Sequence, residues 1–317
     1  MLMSTGLFFC GLLVLLLGGD SAVKGLAGFS QRMGMSGFKT GVLMMLFATS
    51  VPELIINAYA IFNGHSDIAL GNAVGSNIVN IGLTLAFAAI SAPMLLGMRS
   101  LALQIVFLLV ATGVVLLMGL DGSLQRWEGV LLVLAFVVSV FVILRRADKE
   151  NAVVQHEISD AFETNTSPAM NTIRVIVGAG LLFFGAKLVI DAAPAIGLAL
   201  GFGPLLTGLT VVAIGTALPE VAMAVFAARN GKANLVAGLV LGACLFNLLF
   251  ILGAMAIVKP VLLPASFIGF ELPAAMAFAL VLYPILGGDL RIKRSEGFIL
   301  FGLFLVWLAF ELYKVWS

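Results

Sequence analysis

Charge is scarce in this chain. Lys, Arg, Asp and Glu together make up 10% of its 317 residues, against about 25% in soluble globular domains. That scarcity excludes a soluble fold, and a formal net charge of +1 with no basic stripe excludes a nucleic-acid-binding surface. The two cysteines, Cys10 and Cys244, stand in separate apolar stretches, which leaves no disulfide framework and no thiolate metal cluster. Histidine is equally sparse, with His65 and His156 far apart, so zinc and copper chemistry has no ligands. A Gly-x-x-x-x-Gly-Lys-Ser/Thr loop is missing, which argues against an ATP-driven pump. No His or Lys stands beside Ser50 and Glu53 to act as a base, so the chain does not read as an enzyme.

Apolar sequence is abundant: 62% of residues are hydrophobic and the mean hydropathy is +1.16. Runs long enough to cross ~30 Å of hydrocarbon, about 20 residues each, cover 2–30, 37–63, 67–92, 100–119 and 124–145. After a polar segment they resume at 171–200, 204–229, 234–258, 265–287 and 295–315. The first run lacks a basic n-region and is read as a retained helix. The expected fold is therefore an all-α polytopic membrane protein of ten transmembrane helices. Residues 1–146 form one five-helix repeat, 147–170 a solvated linker, and 171–317 a second repeat.

The repeat is explicit in the polar and punctuating residues. Gly41, Thr49, Pro52, Glu53, Asn63, Gly64, Gly71, Gly75 and Asn80 return 167 positions later as Gly208, Thr216, Pro219, Glu220, Asn230, Gly231, Gly238, Gly242 and Asn247. Composition alone would not concentrate matches there. With five spans per half, the second copy must enter the membrane from the opposite face, which makes the halves inverted repeats. Lys and Arg cluster on alternate loops, including Arg32, Lys39, Arg99, Arg145, Arg146, Arg229, Lys232 and Arg291. The positive-inside rule then predicts a cytoplasmic linker and external termini, in a bacterial inner membrane.

Each copy sets a proline and a carboxylate inside an apolar helix, where both are costly. Pro52 and Pro219 are expected to break their helices and free carbonyls that only a polar cavity or a protein interior tolerates. Glu53 and Glu220 supply charge. Gly71, Gly75, Gly238 and Gly242 clear helix faces for close packing, and Ser76 lies one turn from Asn80. Such an oxygen-only set of carboxylates, amides, hydroxyls and carbonyls suits a hard cation. Two neighbouring glutamates repel unless a divalent ion, or monovalent ions or protons, neutralise them. Asp20 and Lys187 occupy equivalent positions with opposite charge, and Lys187 is placed to pair with Asp191.

Thr49-Ser50-Val51-Pro52-Glu53 followed by Gly71 to Asn80, repeated in inverted form, resembles the cation/Ca²⁺ exchanger superfamily, nearest its prokaryotic sodium/calcium exchanger branch. The resemblance implies ion sites between the second, third, seventh and eighth spans, with the first and sixth sliding to alternate access. It implies coordination by Glu53, Asn80, Glu220 and Asn247, with Thr49, Ser50, Ser76 and Thr216 around them. It further implies a secondary antiporter of Ca²⁺ against Na⁺ or H⁺, with no cofactor and the bilayer as its surroundings. Ala217, Ala243 and Cys244 depart from the serines and asparagine usual in the second copy. The alternatives are the same fold carrying another cation, and a non-transporting scaffold that recruits a partner through 147–170.

Overall fold

The computed structural model describes residues 1–147, 149–287 and 291–316. Among them, nine helices are long and apolar enough to cross a bilayer: α1 (Leu2–Arg32), α2 (Gly37–Phe62), α3 (Ser66–Ser91), α4 (Ser100–Asp121), α5 (Arg126–Ala147), α6 (Pro168–Ala199), α7 (Pro204–Arg229), α8 (Ala233–Val258) and α10 (Arg294–Val315). A shorter apolar helix, α9 (Phe267–Tyr283), makes up the expected ten.

Local chemistry sets the helix ends, and at the start of α5 and α10 and the end of α2 and α7 it is copied between the halves. The Ser36 hydroxyl accepts from Lys39 N, and the Ser167 hydroxyl accepts from Met170 N ahead of Pro168, satisfying N–H groups left open by the first turn. Glu128 accepts from Gln125 N and Glu296 from Lys293 N, each at 2.7 Å, so both repeats start their last helix on the same carboxylate cap. At the other end of α2 and α7 the pairs Asn63-Gly64 and Asn230-Gly231 turn the chain. Both glycines take positive φ, and the asparagine amides donate to Tyr59 O and Phe226 O.

Contacts between the halves establish the inversion. Asn77 and Cys244, equivalent by the 167-residue offset, bond reciprocally: Asn77 Nδ2 donates to Cys244 O at 3.1 Å, and the Cys244 thiol faces Asn77 O at 3.9 Å. Two short antiparallel ribbons confirm the relationship. β1 (Met94–Leu95, after α3) pairs with β4 (Arg291–Ile292, before α10), and β2 (Ser123–Leu124, before α5) pairs with β3 (Val261–Leu262, after α8). A two-fold that exchanges α3 with α8 and α5 with α10 turns one ribbon into the other. Gly129 of α5 packs on α8 at Gly253, and its counterpart Gly297 packs on α3 at Ala86 O.

Helices α3 and α8 form the centre, with 83% and 89% of their apolar windows buried against 22% for α10. Around the margin Leu13, Leu17, Leu134, Val138, Phe184 and Val306 are exposed, an apolar exterior suited to lipid. Helices α1 and α6 cross antiparallel along glycines. A Cβ on Gly18 would lie 2.8 Å from Leu182 N, and one on Gly178 would lie 2.8 Å from Ala22 N. The crossing therefore runs on backbone contact rather than interlocked side chains.

The segment between the repeats is more than a solvated tether. Asn151 caps a linker helix, Ala152–Phe162, whose Val154 and Ile158 are buried. Glu157 accepts from Asn234 Nδ2 and Leu235 N at the start of α8. Glu150 accepts from Arg99 N and Ser100 N at the start of α4. These carboxylates cap helix N-termini. The patterning of 147–170 showed polarity, but the apolar pair that docks it is only two residues long.

The glycine contacts generate a measurable expectation. Gly18→Val is expected to lower stability by about 1–3 kcal/mol through overpacking, whereas Gly180→Val, with nothing within 4 Å of its Cβ, should leave it unchanged. Thermal unfolding of both variants in detergent checks this; equal midpoints would contradict the packing.

Candidate ion site

Helix α2 is interrupted where the site begins. Regular helix runs to Phe47, Ala48 to Ser50 form a turn, and helix resumes at Val51 with Pro52 in its first turn. Ser50 N bonds Phe47 O at 3.1 Å and Leu54 N bonds Ser50 O at 2.9 Å, while Pro52 has no N–H to offer Ala48 O. Glu53 falls in the first turn of the resumed helix, where its charge meets the positive end of the dipole.

The second copy behaves differently, which corrects the expectation of two breaks. Pro219 lies inside a continuous helix, Ala213–Arg229, and the irregularity comes earlier as a π-helical stretch at Gly208–Val212. A proline deletes one hydrogen bond and crowds one carbonyl, which a long packed helix can absorb as a bend. Equivalent π-helical stretches occur in the central helices, at Asn80–Leu85 and Phe246–Ile251, so Asn80 and Asn247 both sit where helical register changes.

A cavity of ≈ 290 Å³ lies between these elements. Thr49, Pro52 and Glu53 line it from α2, Asn80 and Thr84 from α3, and Thr216, Pro219 and Glu220 from α7. Ala243 of α8 and Asp20 of α1 also line it, among apolar side chains of α1, α7, α8 and the linker. One carboxylate from each repeat thus faces a shared space. Glu53 is buried and its Oε2 has no hydrogen-bond partner, as is true of Thr49 Oγ1, Thr84 Oγ1 and Asn80 Nδ2. The Thr216 hydroxyl donates to Ala213 O at 3.1 Å.

Three expected site residues do not line the cavity. Ser76 is buried and turned toward Asn72 Oδ1 at 3.4 Å, and Asn72 donates to Asn57 Oδ1 at 3.1 Å. Ser50 and Asn247 are fully buried with unpartnered side-chain atoms, yet neither reaches the cavity surface. Conversely, Thr84, Asn57 and Asn72 were not singled out from sequence. Thr84 lies one turn beyond Asn80 and Asn72 one turn before Ser76, so helical periodicity could have flagged both.

The four glycines make the close approaches expected of them, unequally at the two ends. A Cβ on Gly75 would lie 2.6 Å from Leu209 O, and Gly71 meets Leu205, Gly208 and Leu209, so α3 and α7 touch backbone to backbone. A Cβ on Gly242 would likewise meet the α2 backbone, 2.5 Å from Met45 O and 3.0 Å from Leu46 Cα, whereas the atoms nearest Gly238 belong to the Met45 side chain. Gly41, the counterpart of Gly208, packs on Ile158 of the linker helix rather than on α8. The linker helix thus wedges between α2 and α8 at the end where the cavity extends, past Ala224 and Leu235 to Ala161 and Phe162. At the opposite end the α3–α7 contact closes the bundle.

No group of three or more His, Cys, Asp or Glu side chains poised to hold a metal occurs among the described residues. Glu53 and Glu220 with the Asn80 amide and the hydroxyls of Thr49, Thr84 and Thr216 make a mixed hard-oxygen set suited to a hard cation.

Comparison with known proteins agrees with this architecture. The family described as sodium/calcium exchanger protein matches residues 3–145 and 170–313, one segment for each repeat. CaxA of Alkalimonas amylolytica is 31% identical over 312 residues, covering 96% of this chain and 97% of its own. The sodium/calcium exchanger MaX1 of Methanosarcina acetivorans is 26% identical over 340 residues, covering 96% and 97%. The sodium-calcium exchanger NCX_Mj, soaked with 10 mM Na⁺ and no Ca²⁺, superposes with a TM-score of 0.69 at 27% identity, covering 97% and 98%. With ten apolar helices among the described residues and a match that spans both halves, this chain belongs to the sodium/calcium exchanger protein family of membrane transporters.

Proposed function

We propose that this protein exchanges Ca²⁺ for Na⁺ or H⁺ across the membrane by alternating access. The observation that carries the reading is the shared cavity: Glu53 and Glu220, one from each inverted repeat, face it together. Two carboxylates balance one divalent cation, and when it leaves, monovalent cations or protons must take its place because paired carboxylates in a low dielectric repel. Competition for one pair of charges couples the two fluxes without a second energy source. Glu53, Glu220 and Asn80 act as ligands here, with Thr49 and Thr216 beside them. Asn247, Ser50 and Ser76 support the wall and reach the ion through a small rotation of their own helices, α8, α2 and α3.

The cavity extends to the linker helix at one end while the α3–α7 contact closes the other, which supports reading this conformation as the one that faces the linker side. The positive-inside rule places that side in the cytoplasm, with both termini outside. Sliding of the α1–α6 pair along its glycine crossing would open the opposite path, because backbone contact leaves few interlocked side chains to separate.

In liposomes loaded with ⁴⁵Ca²⁺, dilution into Na⁺ or into a pH gradient is expected to drive efflux, and choline is not. Efflux driven by neither would overturn the exchange. Glu53→Gln and Glu220→Gln are each expected to reduce the driven rate by about tenfold or more, since each removes half of the charge that balances the divalent ion. Wild-type rates in either variant would remove that glutamate from the site. Ala243 lines the cavity where the first copy carries Ser76, and Ala217 stands where it carries Ser50. Ala217→Ser with Ala243→Ser is accordingly expected to raise Na⁺-driven efflux relative to pH-driven efflux, measured side by side in the same vesicles.

A further inference from the structure

The two repeats furnish the cavity with oxygen unequally. Helices α2 and α3 line it with Glu53, Thr49, Asn80 and Thr84, whereas α7 and α8 line it with the oxygens of Glu220 and Thr216. The 167-residue offset pairs Asn80 with Asn247 and Thr84 with Ile251, and neither counterpart reaches the cavity surface. Thr84 is thus an oxygen that the duplication supplies once.

Its hydroxyl is also free where most helical threonines are tied. Thr112, Thr172, Thr207 and Thr210 each donate to the carbonyl four residues back, and Thr216 to the one three back, the usual bond of a threonine within a helix. Thr84 stands in the π-helical stretch Asn80–Leu85, where the widened turn shifts the carbonyls it would meet. Its Oγ1 is buried without a partner among the described residues. A hydroxyl left so costs about 1–3 kcal/mol, which a ligand in the cavity would offset. Thr49 Oγ1 is free in the same way. Helix α2 begins beside Ile158 of the linker helix, and α3 ends just before Gly97, which lies against Val154 of that helix, so the two run antiparallel. Thr49 precedes Glu53 by four residues and Thr84 follows Asn80 by four. Both free hydroxyls therefore stand one turn nearer the linker end than the carboxylate and the amide.

Together these groups make one carboxylate with three neutral oxygen-bearing side chains, all from the first repeat. Hard cations take such oxygens, and the number of carboxylates follows the charge of the ion. A divalent ion uses Glu53 and Glu220 together, whereas a monovalent one is balanced by Glu53 alone and draws its other ligands from neutral atoms. We propose that Thr84 is a ligand for the alkali counter-ion rather than for the divalent ion, and so a determinant of how well the transporter accepts Na⁺. This inference rests on the exchange proposed above and assigns one residue to one of its two ions.

The test uses the purified full chain in liposomes loaded with ⁴⁵Ca²⁺. Efflux is measured against external Na⁺ and, separately, against external unlabelled Ca²⁺, which trades ion for ion without a counter-ion. Thr84→Val keeps the shape of the side chain and removes its oxygen. It is expected to raise the half-saturating Na⁺ concentration about threefold to tenfold relative to the half-saturating Ca²⁺ concentration, as loss of one neutral ligand requires. Thr84→Ser should restore the wild-type ratio. Thr84→Ala also lacks the hydroxyl and cannot overpack, so it should shift the ratio the same way and keeps the test decisive if the valine variant fails to fold. Equal shifts for both ions, as a disturbed wall would give, or no shift, as a bound water alone would give, would overturn the inference. Wild-type protein that trades Ca²⁺ for Ca²⁺ or for protons but shows no Na⁺-driven efflux would overturn it and leave the exchange reading standing. Efflux driven by none of the three would overturn both.

Discussion

Two carboxylates held inside an apolar bundle constrain everything around them. In hydrocarbon a carboxylate is tolerated only where protein or a water-filled cavity replaces its hydration, and two of them facing one space must be offset by cations or protons. The bundle meets this by burying α3 and α8 almost completely and by bringing Glu53 and Glu220 to a single cavity from opposite repeats. The polar groups around them follow from the same demand. The broken turn at Ala48 to Ser50 lies inside the protein, because free backbone groups cannot face lipid.

Near-symmetry with unequal packing at the two ends describes the rest. Caps, turns, ribbons and the Asn77–Cys244 contact repeat across the two-fold. The packing at the two ends does not. Gly208 brings α7 onto α3 directly, while the equivalent Gly41 meets the linker helix. If both ends packed alike, the cavity would be reached from both or from neither. In the alternating-access reading proposed above, exchange of these two packings would move the opening from one end to the other.

The linker helix gains meaning in that setting. Its carboxylates fasten it to the starts of α4 and α8, while Gln31 and Arg32 at the end of α1 donate to the carbonyls of Phe162 and Thr166. The linker therefore touches α8 of the central helices and α1 of the crossing pair. A composition scan sees only a polar segment there, since Val154 and Ile158 are too few to announce a docked helix.

The sequence by itself determined the number of spans, their inversion, the two carboxylates and the turn glycines, because each of these is local. Hydrophobic length, an odd span count and the Asn-Gly pairs have the same consequence in any packing. Only the tertiary structure decided which polar residues reach the cavity. Asn80 does while Ser76, one turn away, bonds Asn72, since periodicity assigns a face but not the neighbour that the face will meet. Pro52 interrupts its helix and Pro219 does not, although both follow the same motif. A proline removes one hydrogen bond, and whether the chain answers with a break or a bend depends on what packs against it.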